Sequence, residues 1–418
     1  MDKSKPDTRV NEIMQQPVRI LNATVGKPYE ALFDFDIFKW KDITAFEFQG
    51  LQEVGLGYDE KTNQIIGKPV QSGDFKVLLK FKLDGEPEDV VYHEKLISLT
   101  VNPDPKSLWK NIESDRNDPY WKEDNVTLFS ALGDRHILVS CKRGRSHANV
   151  GSFNEDDFEF SDLQSGWSLV VVADGAGSAK ISRKGSSLAC NSVVEYFRQD
   201  QANNSFTEFD QLLLQFKNNT GEETLNKMNQ FVYKYLGGAA WYAHTKLKDF
   251  AAEAAVELKD LNSTLIFTLF KKFDIGYALL SFGVGDCPIA VLNKNVSEVV
   301  LMNWIDVGDY GGGTRFITMP NIFQNEKFAT RFNFKLVNDF SYLVMMSDGI
   351  YDAKFVVESK LADINKWKEF LNDLDGKNDD KIRVELSAEN AEITSQLSAW
   401  MDFWSQGNHD DRTLAIIF

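Results

Sequence analysis

The sequence predicts an α+β protein in two parts, a small all-β domain followed by a larger mixed domain. Two observations carry this. Residues from about 17 to 101 read as strands and turns, with period-two alternation of apolar and polar residues over 73–83, the pattern of a half-buried antiparallel strand. Beyond them, strand-like and helix-like segments come in blocks rather than in strict βαβ alternation, which favours packed antiparallel sheets over a doubly wound parallel sheet. A chain of 418 residues can bury cores for both parts.

Taken in order, residues 1–16 are polar and read as a flexible N-terminus. They contain no apolar segment of the kind a secretory signal needs, so a cytoplasmic location is expected. Residues 17–101 form the all-β domain. Its clearest strand is 73–83, with Phe75, Val77, Leu79, Phe81 and Leu83 on one face and Lys76, Lys80 and Lys82 on the other. The lysines discourage pairing at an open edge. Residues 102–120, rich in Pro, Asp and Asn, read as a linker.

The mixed domain occupies 121–418. Strands are expected around Thr127–Phe129, Ile137–Cys141 and Trp167–Ala173. Cys190, Val193, Val194 and Phe197 fall at i, i+3, i+4 and i+7 of an amphipathic helix. A second helix is read over Trp241–Leu258, then a β-meander through 263–270, 276–286 and 288–293. A helix follows Asp348, another covers 392–404 with its aromatic residues in the core, and a last strand closes the chain.

Bulk properties narrow the function. A net charge of −16 and a pI near 4.9 speak against nucleic acid or an anionic membrane as partner. No apolar run approaches the roughly 20 residues of a membrane span. The three cysteines, Cys141, Cys190 and Cys287, are widely spaced and read as reduced, packed residues. Five histidines are too few to make a His-rich zinc site the leading idea.

The chemistry lies in acids placed where apolar strands run into turns. Asp174 ends "VVVADGAGSA", Asp348 ends "LVMMSDGIYD", Asp410 precedes the last strand in "GNHDDRTLAIIF", and Glu155 and Asp156 sit in "SFNEDDFEF". Each motif alone is an ordinary turn, because Asp-Gly is common there. Several converging acids would repel and resist burial unless a cation neutralised them. Oxygen-only ligands suit Mg²⁺ or Mn²⁺, which points to phosphate chemistry.

Two resemblances sharpen this reading. Gly55, Leu56, Asp59, Thr62, Ile65, Gly67, Pro69, Gly73, Phe75 and Val77 match the core motif of a family of Ig-like modules found in bacterial surface proteins, so the first domain resembles an Ig-like β-sandwich. Asn63 stands where that family has Gly, a tolerated exchange because Asn accepts a left-handed conformation. The acidic motifs, in their order over about 120–418, resemble the metal-dependent protein phosphatases (PPM, type 2C). The sub-pattern "SH…ED", "DGAGSA", "GD", "SDGxxD" and "DDRT" is similar to bacterial members of tellurite-resistance-type clusters, encoded with a von Willebrand-type protein and a kinase.

That resemblance implies an αββα sandwich, two antiparallel sheets flanked by helices, with two or three Mg²⁺ or Mn²⁺ ions at one edge. It implies Asp174 as bridging ligand, the Gly175 carbonyl as a further contact, and Glu155 and Asp156 as the "ED" pair. Asp157 is the rival of Asp156 if the register slips by one. Asp348 and Asp410 are implied as ligands, and Asp352 as an acid near a third ion. The implied reaction is in-line attack by a metal-bridging hydroxide on a phosphoserine or phosphothreonine monoester.

Some positions depart from the family. Gly151 stands where many members carry a phosphate-binding Arg, and Ala176 where eukaryotic members carry a candidate acid His. Arg143, Arg145 and His147 are the nearby replacements, with His147 and Arg145 as catalytic candidates and Arg143 for substrate. Arg315, in the glycine-rich "DYGGGTRFITMP", is a second substrate-binding candidate. Asp286 reads as a turn acid, Asp260 as a helix-terminal acid and His409 as a solvent-side neighbour of the metal ligands. The expected activity is a protein-serine/threonine phosphatase acting on a phosphorylated protein, opposing a cognate Ser/Thr kinase. The alternative is a phosphatase-fold scaffold that binds through its Ig-like domain.

Overall fold

The structure, a computed structural model, describes residues 4–87, 89–218, 221–306, 313–324 and 326–418. The chain divides into two compact units, Met1–Trp109 and Lys110–Phe418.

The first unit begins with a helix, α1 (Ser4–Gln15), where a flexible terminus is expected from composition. Three contacts hold it. Ile13 is fully buried, Arg9 pairs with Asp42 at 2.6 Å, and Lys95 Nζ donates to the carbonyls of Met14 (3.0 Å) and Gln16 (2.8 Å). The last pair closes carbonyls that a helix end leaves open. Seven strands follow: β1 (Ala23–Thr24), β2 (Tyr29–Leu32), β3 (Ile43–Gln49), β4 (Leu56–Asp59), β5 (Gln64–Gly67), β6 (Gly73–Leu83) and β7 (His93–Asn102). They form a four-stranded sheet ordered β1-β7-β6-β3 and a three-stranded sheet ordered β2-β5-β4. Along β6 the alternation read from sequence buries Val77, Leu79, Phe81 and Leu83 against Phe33, Trp40 and Ile65. Asn63, in the β4–β5 turn, has φ 54°, the left-handed backbone that Asn tolerates.

The second unit contains eleven strands among its described residues. These are β8 (Asn125–Leu132), β9 (Arg135–Lys142), β10 (Asp157–Asp162), β11 (Ser168–Ala173), β12 (Leu265–Phe273), β13 (Gly276–Val284), β14 (Ile289–Asn293), β15 (Val299–Leu301), β16 (Phe332–Val337), β17 (Phe340–Met346) and β18 (Arg412–Ile417). One sheet runs β10-β11-β12-β13-β16, the other β15-β14-β17-β18-β9-β8, and every pairing in both is antiparallel. The helices are α2 (Arg145–Val150), α3 (Ser182–Arg198), α4 (Asp200–Asn218), α5 (Glu222–Glu253), α6 (Asn321–Gln324), α7 (Asp348–Phe355), α8 (Ile364–Leu374) and α9 (Ile393–Trp400).

Strand alternation builds three apolar layers. Leu169, Val171 and Ala173 of β11 face a cluster with Val193 and Phe197 of α3 and Leu236 of α5. Val170 and Val172, one residue out of phase, face Ile137 and Val139 of β9 and Leu343 of β17 in the cluster between the sheets. Leu138, Val344 and Leu414 turn outward again to α7–α9, meeting Ile350, Trp367 and Trp400. The result is an αββα sandwich whose central strands, β11, β12 and β13 in one sheet and β17, β18 and β9 in the other, are buried on both faces. The second helix read from sequence ends at Glu253, because Ala255 takes φ 53° and turns the chain into a short 3₁₀ segment, Leu258–Leu261.

The stretch expected to be a linker makes specific contacts from residue 110 onward. Ile112 N–H donates to Ala148 O (2.9 Å), Ser114 Oγ to Asp124 (2.9 Å), and Asp118 pairs with Arg183 at 2.8 Å. No helix among the described residues is long and apolar enough to cross a membrane.

Candidate metal centre

Ladder register brings the acids together at one end of the sandwich. The β10–β11 ladder starts with Asp157 opposite Ala173, so Asp156 and Asp174 are the next residues outward on the paired strands. Met346 pairs with Leu414 and Ser347 N–H reaches Thr413 O, which sets Asp348 beside the start of β18 and hence near Asp410 and Asp411. Glycines permit these approaches. A Cβ on Gly349 would lie 1.9 Å from Asp411 O, on Gly144 2.3 Å from Asp410 C, and on Gly175 2.4 Å from Glu155 O. Thr264 clamps Asp174, taking its N–H on Oγ1 (2.8 Å) and donating its own N–H to Asp174 O (2.8 Å). With Ala176 N–H bound to Asn262 O, the Gly175–Ser263 bridge does not use the Gly175 carbonyl.

Mutual repulsion and burial push these carboxyls upward. Asp174 is raised well above the usual range by burial and by Asp348, Asp156, Asp286 and Asp410, so it feels four neighbouring acids at once. Asp156, 1% exposed, is raised well above it by burial and by Asp411, against the relief of Thr413 Oγ1 donating at 2.8 Å. Asp348 rises to about 7 through burial, Asp410 and Asp286. Glu155 also rises to about 7, chiefly through burial, with His147 opposing. Asp410 is the open member, its side chain 53% exposed, yet it too is raised by desolvation and Asp411. Asp352 is raised by partial burial and Asp286.

This arrangement fits a hard cation. Glu155 Oε2 is buried without a hydrogen-bond partner among the described residues; Ser182 faces it, but its hydroxyl makes no bond of normal geometry. Several acids raised by one another, together with an orphaned carboxylate oxygen, are what a divalent ion would neutralise.

The structure also separates residues that sequence could not. Asp157 turns away from the cluster and pairs with Lys122 at 2.9 Å, while Lys122 also donates to Asp156 O. Asp286, read as a turn acid, stands within the cluster, its carboxylate close to those of Asp174 and to the Cys287 thiol, and it accepts from Thr314 Oγ1 (2.6 Å). The "VGDC" turn was the available signal. Asp260 caps its 3₁₀ segment in a box with Glu257, as a helix-terminal acid would. His409 packs its ring on Trp404 at 4.6 Å.

Among the basic candidates, His147 reaches the site. Its Nδ1 donates to Asp411 Oδ2 (2.8 Å) and its Nε2 lies 3.9 Å from Asp410 Oδ1. Burial opposes its charge, but the Asp411 bond, with Glu155 and Asp410, outweighs this and lifts it to about 9. Arg143 is committed elsewhere, to Asp124 (3.2 Å), Ser152 O (2.8 Å) and Ile112 O (2.9 Å), with its side chain 5% exposed. Arg145 donates to Asp402 O (2.8 Å) and sits over Trp404. The Arg315 backbone passes Gly285, one residue from Asp286, and the neighbouring Thr314 holds Asp286. Gly311 and Gly312 of the same motif lie outside the described residues.

A family model described as protein phosphatase 2C matches residues 143–397. The chain belongs to the protein phosphatase 2C family. It is accordingly a metal-dependent protein-serine/threonine phosphatase whose substrates are phosphorylated proteins. The family match takes in Glu155, Asp156, Asp174 and Asp348 and stops short of Asp410. Solved structures similar to this phosphatase include a bacterial serine phosphatase (16% identity, TM-score 0.39, covering 69% of this chain and 98% of that one). Two others are the serine/threonine phosphatase Stp1 from Staphylococcus aureus (15%, 0.38, 71% and 98%) and the catalytic domain of the phosphatase PstP in complex with two manganese ions (14%, 0.38, 70% and 98%). A search of curated proteins finds no match.

Proposed function

We propose that the acidic cluster of this phosphatase is a binuclear Mg²⁺ or Mn²⁺ centre, with Asp352 next to a third, weaker ion. The observation that carries this reading is the convergence of Asp156, Asp174, Asp348 and Asp410 on one sandwich edge beside Glu155 Oε2, which is buried and unpartnered among the described residues. Asp174, the Gly175 carbonyl, Asp156, Asp348 and Asp410 would hold the ions, with Glu155 as a further contact. When bound, such ions supply Lewis-acid charge to the phosphoryl oxygens and a nucleophilic water at neutral pH. The chain's own residues do the rest. Thr264 and Thr413 fix Asp174 and Asp156 in place, Arg315 meets the phosphopeptide, and His147 Nε2 faces the departing seryl or threonyl oxygen.

In the cell the enzyme opposes a Ser/Thr kinase encoded beside it together with a von Willebrand-type protein, and the N-terminal Ig-like domain docks a protein partner. The test of the centre is Mn²⁺-dependent hydrolysis of p-nitrophenyl phosphate alongside Mn²⁺ titration by calorimetry. Asp174→Ala and Asp348→Ala are each expected to abolish turnover and weaken Mn²⁺ binding. Equal activity and equal binding in wild type and both variants would sink the proposal.

A further inference from the structure

We infer that Asp411 is a positioning residue that presents His147 as the proton donor to the leaving oxygen, forming an Asp–His pair between residues 264 positions apart in the chain. The inference rests on the reading of the acidic cluster as the phosphatase centre. Asp411 is 2% exposed, and its two oxygens take three N–H donors, two from the start of α2 and one from the loop that follows it. Oδ1 accepts from Gly144 N (2.6 Å), Oδ2 from Glu155 N (2.6 Å) and from His147 Nδ1 (2.8 Å). His147, Asp410 and Asp411 come close enough to suggest a metal group, but three of the roughly four lone-pair sites of Asp411 are already taken by N–H donors. The carboxylate orients groups instead.

The consequence for His147 is geometric. With Nδ1–H committed to Asp411, the ring orientation is fixed and Nε2 is left for the cleft. There it lies 3.9 Å from the place where a Cβ on Gly177 would stand, and Glu155 Oε2 lies 3.7 Å from the same place. A side chain at 177 would fill the space between them; Gly leaves it for substrate. An Asn at 411 could not do the same work. Its single carbonyl oxygen could take the place of only one carboxylate oxygen and so meet at most two of the three donors, and its NH₂ would then face the remaining N–H. The acid at this position and the His in α2 therefore belong together.

In the step assigned to the pair, a water oxygen forms the new bond to phosphorus as the bond to the seryl or threonyl oxygen breaks. The departing oxygen takes the Nε2 proton, and His147 becomes neutral with Nδ1–H still on Asp411. The proton lost by the attacking water passes to solvent, from which Nε2 is reprotonated. General acid help matters most for a poor leaving group such as an alkoxide and little for p-nitrophenolate, which departs without a proton.

The experiment compares full-length wild type, His147→Gln, Asp411→Asn and the double variant, with Mn²⁺, on a phosphothreonine peptide and on p-nitrophenyl phosphate. On the peptide, each single variant is expected to lose kcat on the order of 10²-fold, and the double no more than either, because the pair acts as a unit. On p-nitrophenyl phosphate the losses are expected to stay below about tenfold. Equal losses on both substrates for Asp411→Asn, or a loss for His147→Gln with none for Asp411→Asn, would overturn the positioning role. No peptide-specific loss for His147→Gln would overturn its role as donor, while the metal reading stands or falls separately on Asp174→Ala. If Asp411→Asn fails to fold, ¹⁵N-detected imidazole NMR of metal-free wild type decides. A hydrogen-bonded Nδ1 proton that vanishes in His147→Gln is expected; a bare Nδ1 would refute the pair.

Discussion

Asp156 and Asp157 are adjacent in sequence and do different work. Asp156 faces Thr413 and the acids, whereas Asp157 neutralises Lys122, whose ammonium is mostly withdrawn from water. Asp156→Ala is expected to lower Mn²⁺ affinity and activity with little loss of stability. Asp157→Ala is expected to leave Mn²⁺ affinity nearly unchanged but to cost about 1–3 kcal/mol, since Lys122 loses a charged hydrogen-bond partner. Calorimetric titration and thermal melts of the two variants separate these outcomes. The sequence could not choose between the two because strand alternation assigns opposite faces only once the register is fixed. Asp411 was illegible for another reason. Its acid is plain in "DDRT", but its partners Gly144, His147 and Glu155 lie more than 250 positions away in the chain.

At the scale of elements, what was legible followed from periodicity. β6, β11 and α3 appear where alternation and helical spacing place them, because burial of one face or both decides those patterns. The stretch after Trp109 was not legible, since Pro, Asp and Asn mark a turn-rich segment whether it hangs free or packs. Here it packs beside the site. Ile112 bonds the C-terminal end of α2, which carries His147, and Asp118 neutralises Arg183, a side chain 5% exposed lying over the Phe153 ring at 3.9 Å. Deletion of residues 1–109 is expected to leave p-nitrophenyl phosphate hydrolysis intact. Deletion of 1–124 is expected to cost at least about 3–5 kcal/mol, because Arg183 is left buried and unpaired, and to lower activity with it. Melting curves and kcat of both truncations give the answer; equal behaviour would show that residues 110–124 have no structural part.

For the whole molecule, the concentration of raised carboxyls gives the metal-free protein an unusual dependence on pH. Asp348 and Glu155 stand at about 7, and Asp156 and Asp174 well above the ordinary carboxylate range, all because burial and neighbouring acids disfavour their charge. A folded state with raised acid pKa values binds more protons than the unfolded chain, so stability falls as pH rises. The contribution is whole below the unfolded values near 4 and is lost as pH climbs through about 7. His147 acts in the same direction, since its folded value of about 9 exceeds the ordinary 6.5, and its contribution is lost as pH rises through 9. Metal-free protein is therefore expected to melt at progressively lower temperature from pH 5 to pH 9, by roughly 2–4 °C for each kcal/mol lost. Saturating Mn²⁺ should remove most of the decline, because an ion that binds only the folded state neutralises the acids and adds its own binding free energy. Asp348→Asn, which deletes one titrating group, should flatten the metal-free slope between pH 5 and 7. A melting temperature of metal-free protein that rises over this interval would mean that these carboxyls do not repel one another in solution, and the case for a shared cation would lose its physical basis.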